Sequence, residues 1–357
     1  ANSVHVLKMC SALAGLGANV DLLLYSPRGV RRTPLSELSS MYGLHAKFNL
    51  IYMFKSRNSV SWNLNALLYA LYVLFRSIRR KSAIYGRNLR ILCFLVLMGK
   101  KAVMELHEPP DNCGVFISKL LKYLIRSREL YIVVITDSLK RELIKYNPAM
   151  SDRIYVLPDA ADYHDTSSLD SFDCDMGEFS IVYVGGLYKG KGLEIIKDLS
   201  KKCSWATFHV IGDDINVHDK VSYPSNVRFH GYIDHAGTDA YRLSADVLIA
   251  PYQKRVFALA NKEASSWMSP LKLFEYMSAG KPILASDLPV LHEVLTDRVN
   301  SILCDPDSID DWVVALNELR GDSELRERIA KNAFMDFENK YTWRKRASDL
   351  LFWLNSI

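Results

Sequence analysis

A glycine-rich segment with two lysines, Tyr183-Val-Gly-Gly-Leu-Tyr-Lys-Gly-Lys-Gly192, combines residue types and spacing that suit phosphate binding. It follows an apolar run typical of a strand and precedes a helical pattern. Glycines let the backbone approach a phosphate closely, while a helix N-terminus and a lysine supply positive potential. Gly185, Gly190 and Lys191 match most of a P-loop, but Gly192 stands where that motif needs a magnesium-binding hydroxyl. The segment predicts a phosphate loop of another kind or, alternatively, an ordinary strand-to-helix turn.

A second segment with chemical potential runs from Met268 to Asp287. Pro270 suits the first turn of a helix and Gly280 suits its end. That helix start would present backbone N–H groups at the carboxyl end of a parallel sheet, where a phosphate can bind. Glu275, about one turn into the helix, could accept hydrogen bonds from a ribose diol, or it could face solvent.

The elements that must position these residues alternate along the chain. Strands are predicted at Val20–Leu24, Asn49–Met53, Lys101–Leu106, Tyr131–Ile135, Ile154–Leu157, Ser180–Val184, Thr207–Ile211, Val227–His230, Val247–Ala250, Pro282–Ala285 and Ser301–Leu303. Helices are predicted at Val4–Ala14, Asn63–Arg79, Ile117–Ile125, Ser138–Lys145, Ile309–Leu319, Glu324–Phe337 and Trp343–Leu354, with Ser138 capping its helix. Strand–helix alternation predicts an α/β fold with parallel sheets covered by helices.

The domain organisation follows from length and from one polar, acidic stretch. The 357 residues suggest two domains. Residues 161–178 lack an apolar period and are predicted to be a linker between an N-terminal domain, 1–160, and a second domain, 179–339. The C-terminal helix, 340–357, is expected to complete the first domain. That domain opens on a helix, so we expect it to lack the strand with which a doubly wound domain begins.

Charge is distributed unevenly, although apolar (49%) and charged (24%) contents are ordinary and argue against disorder or a coiled coil. Residues 1–160 carry +13 and residues 161–357 carry −8. The first half could face an anionic membrane surface or a phosphorylated acceptor, or simply be a solvated basic surface. Its helix Asn63–Arg79 could lie on an anionic membrane or be buried with a solvated end. Nucleic acid is not expected, because no binding motif is present.

The cysteines and the apolar runs of the sequence indicate the cellular compartment in which the protein is expected. None of the six cysteines forms a C-x-x-C pair, and no Cys/His cluster has zinc-ligand spacing, which favours thiols in a reducing compartment. No secretory signal is visible, and the most apolar run, Ile91 to Met98, is too short to span a bilayer. We expect a cytoplasmic protein that can associate with the inner face of a membrane.

The run SPLKLFEYMSAGKPILASDLPVLHEVL, from Ser269 to Leu295, resembles the nucleotide-sugar site of family 4 glycosyltransferases, which are retaining enzymes of the GT-B fold. This resemblance implies two Rossmann-like doubly wound domains facing each other across a cleft. It extends over nearly the whole chain, through Val4–Leu24, Glu105–Glu108, Leu157–Asp162, Tyr183–Gly192, Asn226–Tyr232 and Trp343–Leu354.

The resemblance also implies roles for individual residues. Lys191 would neutralise the diphosphate, Glu275 would bind the ribose, and His107 would lie beside the transferred sugar; these three are the implied catalytic residues. The segment Ser269, Pro270 and Leu271 would turn backbone N–H groups toward the phosphates. The remaining donor-site positions are Gly185, Gly186, Lys189 and Lys272, with Gly212, Gly231 and Tyr232 bordering the base. The acceptor side would comprise Asn2, Ser3, His5, His107 and Glu108.

Two positions depart from the family pattern. Gly186 stands where the family usually has an arginine, and Trp267 stands where it usually has a first glutamate. Lys189 or Lys272 could replace the missing arginine as a point charge, though not as a bidentate fork. The missing glutamate puts in doubt how the sugar hydroxyls are held.

The resemblance implies a retaining transfer from a UDP- or GDP-linked sugar to a glycan or lipid-linked acceptor in the synthesis of cell-envelope, capsule or exopolysaccharide glycans. Developing charge on the diphosphate would be stabilised by a lysine and a helix N-terminus, so no metal or other cofactor is expected. Asp173-Cys-Asp175 spells the D-x-D of metal-dependent transferases, but no strand precedes it, and linker acidity is the favoured interpretation. The alternatives are an inactive nucleotide-sugar-binding partner subunit and a GT-B epimerase or hydrolase.

Overall fold

The computed structural model describes residues 2–27, 32–55, 59–164, 166–170, 172–213, 222–235, 237–257 and 263–357. The chain divides into two compact units. The first comprises residues 1–158, 266–268 and 346–357, and the second comprises residues 159–265 and 269–345. The segment predicted to be a linker, 161–178, therefore falls within the second unit, and residues 340–345 fall there as well.

The first unit contains a four-stranded parallel sheet and a separate parallel strand pair, flanked by helices. The pair is β1 (Asp21–Pro27) with β2 (Asn49–Lys55), and the sheet has the order β3 (Tyr85–Gly86), β4 (Ala102–Leu106), β5 (Leu130–Val134) and β6 (Ile154–Val156). The helices are α1 (Asn2–Gly15), α2 (Leu35–Tyr42), α3 (Ser59–Arg80), α4 (Leu89–Leu97), α5 (Val115–Leu124) and α6 (Asp137–Ile144).

The core of this unit explains why its central strands read as unbroken apolar runs. Every residue of β4 is buried, and β5 is buried at all positions but one, because helices cover both faces of a parallel sheet. Helix α4 occupies the apolar run for which no helix is predicted; Asn88 caps it by accepting a hydrogen bond from the backbone N–H of Ile91. Thr136, rather than the predicted Ser138, caps α6.

The second unit is built on a six-stranded parallel sheet with the order β12-β11-β10-β7-β8-β9. Its strands are β7 (Ser180–Val184), β8 (Thr207–Ile211), β9 (Val227–Gly231), β10 (Val247–Ala250), β11 (Ile283–Ser286) and β12 (Ile302–Cys304). Its helices are α7 (Leu193–Lys202), α8 (Thr238–Ser244), α9 (Leu271–Ser278), α10 (Ile309–Gly321), α11 (Ser323–Lys340) and the start of α12 (Trp343–Ser356). The predicted strands of this unit agree with the observed ones to within one residue.

The end of α12 packs within the first unit. The Trp353 ring stacks on Tyr155 at 5.1 Å between centroids, and the Arg346 guanidinium donates to the backbone oxygens of Leu157 and Pro158. The last helix therefore contributes buried contacts to the unit that contains residues 1–158. Among the described residues, no helix has both the length and the apolar character needed to cross a bilayer.

Candidate functional site

The sheet of the second unit has its topological switch point between β7 and β10. From β7 the chain proceeds to β8 and β9 on one side, and from β10 it proceeds to β11 and β12 on the other. Ligands of open α/β sheets bind at the carboxyl ends of the strands at such a point. The glycine-rich loop leaves β7 there, and Pro251 and Tyr252 follow β10.

The glycines of the loop are required by close backbone packing. Gly192 has φ of 100°, and a Cβ built on it would lie 1.9 Å from the Pro251 carbonyl oxygen. A Cβ on Gly190 would lie 2.0 Å from the oxygen of Arg255, and one on Gly212 would lie 2.2 Å from that of Gly185. Side chains are excluded, and the backbone of the loop lies directly against the neighbouring strand exits.

Two lysine ammonium groups lie close to a pair of tyrosine rings. The Lys272 Nζ, in the first turn of α9, is 3.7 Å from the centroid of the Tyr183 ring and 5.3 Å from that of Tyr252. The Lys191 Nζ, from the loop, is 5.1 Å from the same Tyr252 ring. The electron-rich faces of the two tyrosine rings attract the two ammonium groups and so offset part of the hydration that these groups lose on burial.

Lys272 has no hydrogen-bond acceptor for its buried Nζ among the described residues. Burial and the positive charge of Lys191 hold the pKa of the Lys272 ammonium well below its usual value, and burial also lowers the pKa of Lys191. A buried cation without an acceptor is costly unless an anion completes the site. An anion at this point would supply the missing acceptor.

Glu275 lies on α9 but is already ion-paired. Its Oε2 accepts from Arg242 Nη2 at 2.7 Å, its Oε1 lies 2.9 Å from His235 Nε2, and its backbone oxygen lies 2.7 Å from His164 Nε2. Burial alone would raise the pKa of this carboxyl group, but the Arg242 guanidinium and His235 hold it well below its usual range. Each carboxylate oxygen can accept a further hydrogen bond, so these pairs leave acceptor capacity for a hydroxyl ligand.

The other predicted donor positions lie around this site. The Gly212 N–H donates to the Gly231 oxygen at 3.0 Å, so these two glycines join the exits of β8 and β9, and Tyr232 is 77% exposed beside them. Ser269 and Pro270 immediately precede α9, which begins at Leu271. Gly186 has no side chain and so contributes no positive charge to the site. Lys189 is exposed, and its Nζ lies 5.7 Å from the centroid of the Phe257 ring. Of the two lysines considered as replacements for arginine, Lys272 is the buried one.

In the first unit, His107, which is predicted to lie beside the transferred sugar, belongs to a cluster of side chains around the buried carboxylate of Glu105. Glu105 Oε1 lies 2.6 Å from His107 Nε2, 3.1 Å from His5 Nε2 and 3.4 Å from Arg346 Nη2. The imidazole rings of His5 and His107 meet edge to face at 5.3 Å. Burial would raise the pKa of Glu105, yet Arg346 and the two histidines hold it well below its usual range. Glu105 therefore fixes the orientation of His107 at the end of β4.

The remaining acceptor-side predictions are less closely associated with this cluster. Asn2 and Ser3 lie in the first turn of α1; Ser3 is exposed, and the side chain of Asn2 lies outside the described residues. Glu108 follows His107 and is half-buried. Trp267 belongs to the first unit, where it packs against the core and its backbone oxygen accepts from Thr136.

Sequence reasoning missed the groups that set the electrostatics of both sites. Tyr183 and Tyr252 surround the lysines, Arg242 pairs with Glu275, and Arg346 pairs with Glu105. The tyrosines carried a usable signal, since each stands at or just beyond the carboxyl end of a predicted strand. The arginines carried none, because their partners are 33 and 241 residues away.

Comparisons with known proteins identify relatives of this chain. Residues 178–322 match the family model described as "Glycosyl transferases group 1". The chain is similar to "Uncharacterized glycosyltransferase MJ1607" of Methanocaldococcus jannaschii, with 24% identity over 74% of this chain and 70% of that protein. It is also similar to the phosphatidyl-myo-inositol mannosyltransferase of Mycobacterium leprae, with 36% identity over 35% of this chain and 30% of that one.

The structural comparison concerns nearly the whole chain. The crystal structure of Anabaena Alr3699/HepE in complex with UDP covers 99% of this chain and 96% of its own, with a TM-score of 0.73 and 14% identity. The fold is therefore GT-B, with two Rossmann-like domains, as expected from the sequence. The family match and the sequence similarity to glycosyltransferases support a group 1 glycosyltransferase, while the solved structure supports the fold.

Proposed function

We propose that the protein is a retaining, metal-independent hexosyltransferase of family 4 that moves a sugar from a nucleoside-diphosphate sugar to an acceptor hydroxyl. The observation that carries this proposal is the pair of lysines at the switch point, one of which has a buried Nζ with no acceptor in the part of the chain that the structure describes. A diphosphate would supply the missing negative charge.

The chemistry follows from where charge develops. When the anomeric C–O bond breaks, negative charge accumulates on the leaving diphosphate. Lys191, Lys272 and the N-terminus of α9 lie at one end of the sheet and would stabilise that charge without reorganising. Lys272 takes the place of the arginine that Gly186 replaces in the family pattern.

Retention is supported by the state of the two buried carboxylates. Glu275 and Glu105 are both ion-paired with arginines, so neither is free to act as a general base or as a nucleophile. Attack by the acceptor hydroxyl on the face that the diphosphate leaves requires neither of them. We propose that His107, held by Glu105, contacts the transferred sugar.

The acceptor is proposed to be a glycan or lipid-linked hydroxyl at an anionic membrane surface. Helix α3 presents one exposed apolar stripe, 46% to 68% exposed, formed by Leu64, Leu68, Leu71, Phe75 and Ile78. The opposite face, with Ala66 and Ala70, is buried, so the expectation of a buried helix holds for that face only. The stripe and the basic end of the helix suit insertion among anionic headgroups.

Vesicle flotation tests this surface. Full burial of a phenylalanine contributes about 1.5–3 kcal/mol, so Phe75→Ser should weaken binding to phosphatidylglycerol vesicles by about tenfold or more. Val314→Ser, an equally exposed apolar position on α10 of the second unit, is the control and should bind as the unmodified protein does. Equal binding by both variants would exclude α3 as the contact.

Nucleotide binding and turnover test the function. A thermal-shift screen over nucleoside diphosphates and their sugars should identify one donor, because a ligand of the folded state raises its apparent stability. The Anabaena protein has been solved with UDP-glucose, so UDP-sugars are the first choice. With that donor, Lys191→Ala should abolish release of nucleoside diphosphate while Lys201→Ala, on the exposed face of α7, retains it.

The same assay separates the rival functions. Transfer with retained anomeric configuration, determined by proton NMR of the product, supports the proposal. Binding with no release under any acceptor would indicate a non-catalytic partner subunit, as the Gly186 and Trp267 departures would allow. Release of nucleoside diphosphate without acceptor would indicate a hydrolase, and conversion of the donor to an epimeric nucleotide sugar would indicate an epimerase.

A further inference from the structure

A cluster of metal-ligating side chains lies in the second unit, among residues to which the proposed function gives no role. It contains Cys174, from the segment preceding β7, His209 of β8 and His230 of β9. One ligand atom from each residue lies within 4.8 Å of those of the other two. His209 is fully buried, and the other two residues are half-buried.

The two imidazoles already face each other through single nitrogens. His209 Nδ1 lies 3.0 Å from His230 Nε2, with the rings stacked at 8°. At that distance the two nitrogens hold at most one proton between them, so at least one presents a lone pair. Two nitrogens bound to one tetrahedral zinc ion at about 2.0–2.1 Å are roughly 3.3 Å apart, so a shift of a few tenths of an ångström suffices.

In each ring, the nitrogen that faces away from the other histidine (the outer nitrogen) has its own hydrogen-bond partner. The nitrogen that faces the other histidine (the inner nitrogen) is therefore available to bind a metal ion. His209 Nε2 donates to the backbone oxygen of Met176 at 3.2 Å, and His230 Nδ1 lies 3.1 Å from the hydroxyl of Tyr241. Metal-ligating histidines almost always have such an outer partner, which fixes the tautomer and the ring orientation. The supporting contacts of a metal site are therefore in place around both rings.

Cys174 is presented to the histidines by a fixed segment. Its neighbour Asp175 forms an ion pair with Arg228 of β9 at 2.9 Å and accepts from the Gly177 N–H at 3.0 Å, and Phe172 packs edge to face on Tyr241 at 4.9 Å. The carboxylate of Asp175 also offsets the positive charge of the Arg228 guanidinium, which would otherwise repel a metal cation.

We propose that Cys174, His209 and His230 form a metal site that takes a divalent zinc ion, with the fourth coordination position filled by water. One thiolate and two imidazoles are a donor set that favours zinc over magnesium or calcium. Binding would convert the Cys174 thiol to a thiolate and shift the His230 proton from Nε2 to Nδ1, toward the Tyr241 oxygen, so one proton is released per metal. The ion would clamp residues 172–177 to β8 and β9, and the sequence expectation of no metal would be wrong for this part of the chain.

Cobalt titration of the chelator-treated protein tests the site, with Co²⁺ alone as the probe. We expect one equivalent to give intense visible bands of tetrahedral Co²⁺ and a thiolate-to-cobalt band in the near ultraviolet, both lost on adding zinc. Cys174→Ser should remove the thiolate band and weaken binding by more than 100-fold. Tyr241→Phe, which removes the hydroxyl that contacts His230 Nδ1 and Cys174, should weaken it about tenfold.

Matched controls are available outside the cluster. Cys113→Ser, a half-buried thiol in the first unit, and His292→Gln, an exposed histidine, should both bind cobalt as the unmodified protein does. A spectrum of octahedral cobalt only, no stoichiometric binding, or binding by Cys174→Ser within threefold of the unmodified protein would each overturn the proposal. None of these outcomes depends on the glycosyltransferase assignment.

Discussion

Replacing Lys272 by methionine should weaken nucleoside-diphosphate binding and, at the same time, stabilise the ligand-free protein. Methionine keeps most of the side-chain volume and the contact with Tyr183 while removing the charge. In the ligand-free protein the Nζ is buried and has no acceptor among the residues with described positions, so its removal relieves a desolvation cost. With a diphosphate bound, the same Nζ would have its acceptor, and its removal would cost a charged hydrogen bond.

The magnitudes follow from that single contact. A hydrogen bond to a charged group contributes about 1.5–3 kcal/mol, so the Kd for the preferred nucleoside diphosphate should rise about 10- to 150-fold. The ligand-free protein should gain about 1 kcal/mol in free energy of unfolding, because an unsatisfied buried polar group costs about 1–3 kcal/mol and the lost cation–π contact offsets part of that gain. Calorimetry and urea unfolding measure the two quantities.

The pH dependence of stability and of nucleotide binding gives a second test of the role of the Lys272 ammonium group. Burial and the charge of Lys191 lower the pKa of Lys272 from 10.5, so between the lowered value and 10.5 the unfolded chain holds a proton that the folded chain has released. The ligand-free protein should become more stable as pH rises through that window. A bound diphosphate reverses the shift, so binding should take up a proton, and Lys272→Met should reduce this uptake in calorimetry with buffers of different ionisation enthalpy.

The control is Lys201→Met, which removes an exposed lysine paired with Asp198. It should leave the Kd, the proton uptake and the free energy of unfolding within error of the unmodified protein. A Lys272→Met protein that binds nucleotide within threefold of the unmodified protein, or that is less stable without ligand, would refute this reasoning.

Three further predictions concern the loop and the first unit. Gly192→Ala should destabilise the protein by clearly more than Gly17→Ala in urea unfolding, because both glycines have positive φ but only the first would meet a backbone oxygen; equal losses would contradict the close packing. Glu105→Gln should lower the free energy of unfolding at pH 7 by about 3 kcal/mol, because it leaves Arg346 buried without its anion. It should also reduce the loss of stability below about pH 4.5, because protonation of Glu105, whose pKa is depressed in the folded protein, contributes to that loss. An unchanged dependence of stability on acid pH would count against the ion pair. His107→Ala should abolish sugar transfer with the nucleotide Kd unchanged, and retained turnover would remove His107 from the mechanism.

The sequence was informative where local chemistry dictates structure. The loop after β7 is predictable because backbone positions that exclude a Cβ select glycine, and Gly190 and Gly192 both occupy such positions. The start of α9 is predictable to within one residue, because proline is favoured where a helix begins; Pro270 is expected in the first turn and stands just before it, at the N-cap. Strands β4 and β7 are predictable because burial on both faces demands continuous apolar runs.

Elements without a local signal were missed. Helix α4 is apolar at nearly every position because it is buried, so no helical period marks it. Strand β3 has two residues, which is too short for any pattern. Residues 161–178 have no apolar period, yet Asp175 and Phe172 fix that segment to residues far along the chain, which spacing alone does not encode.

A crystal structure with the preferred nucleoside diphosphate tests the central claim most directly. We predict that diphosphate oxygens lie within 3.2 Å of the Nζ atoms of both Lys191 and Lys272, at the β7–β10 switch point, consistent with normal hydrogen-bond lengths of about 2.7–3.2 Å. A diphosphate bound elsewhere, or one at this point with the Lys272 Nζ still lacking an acceptor, would contradict the account.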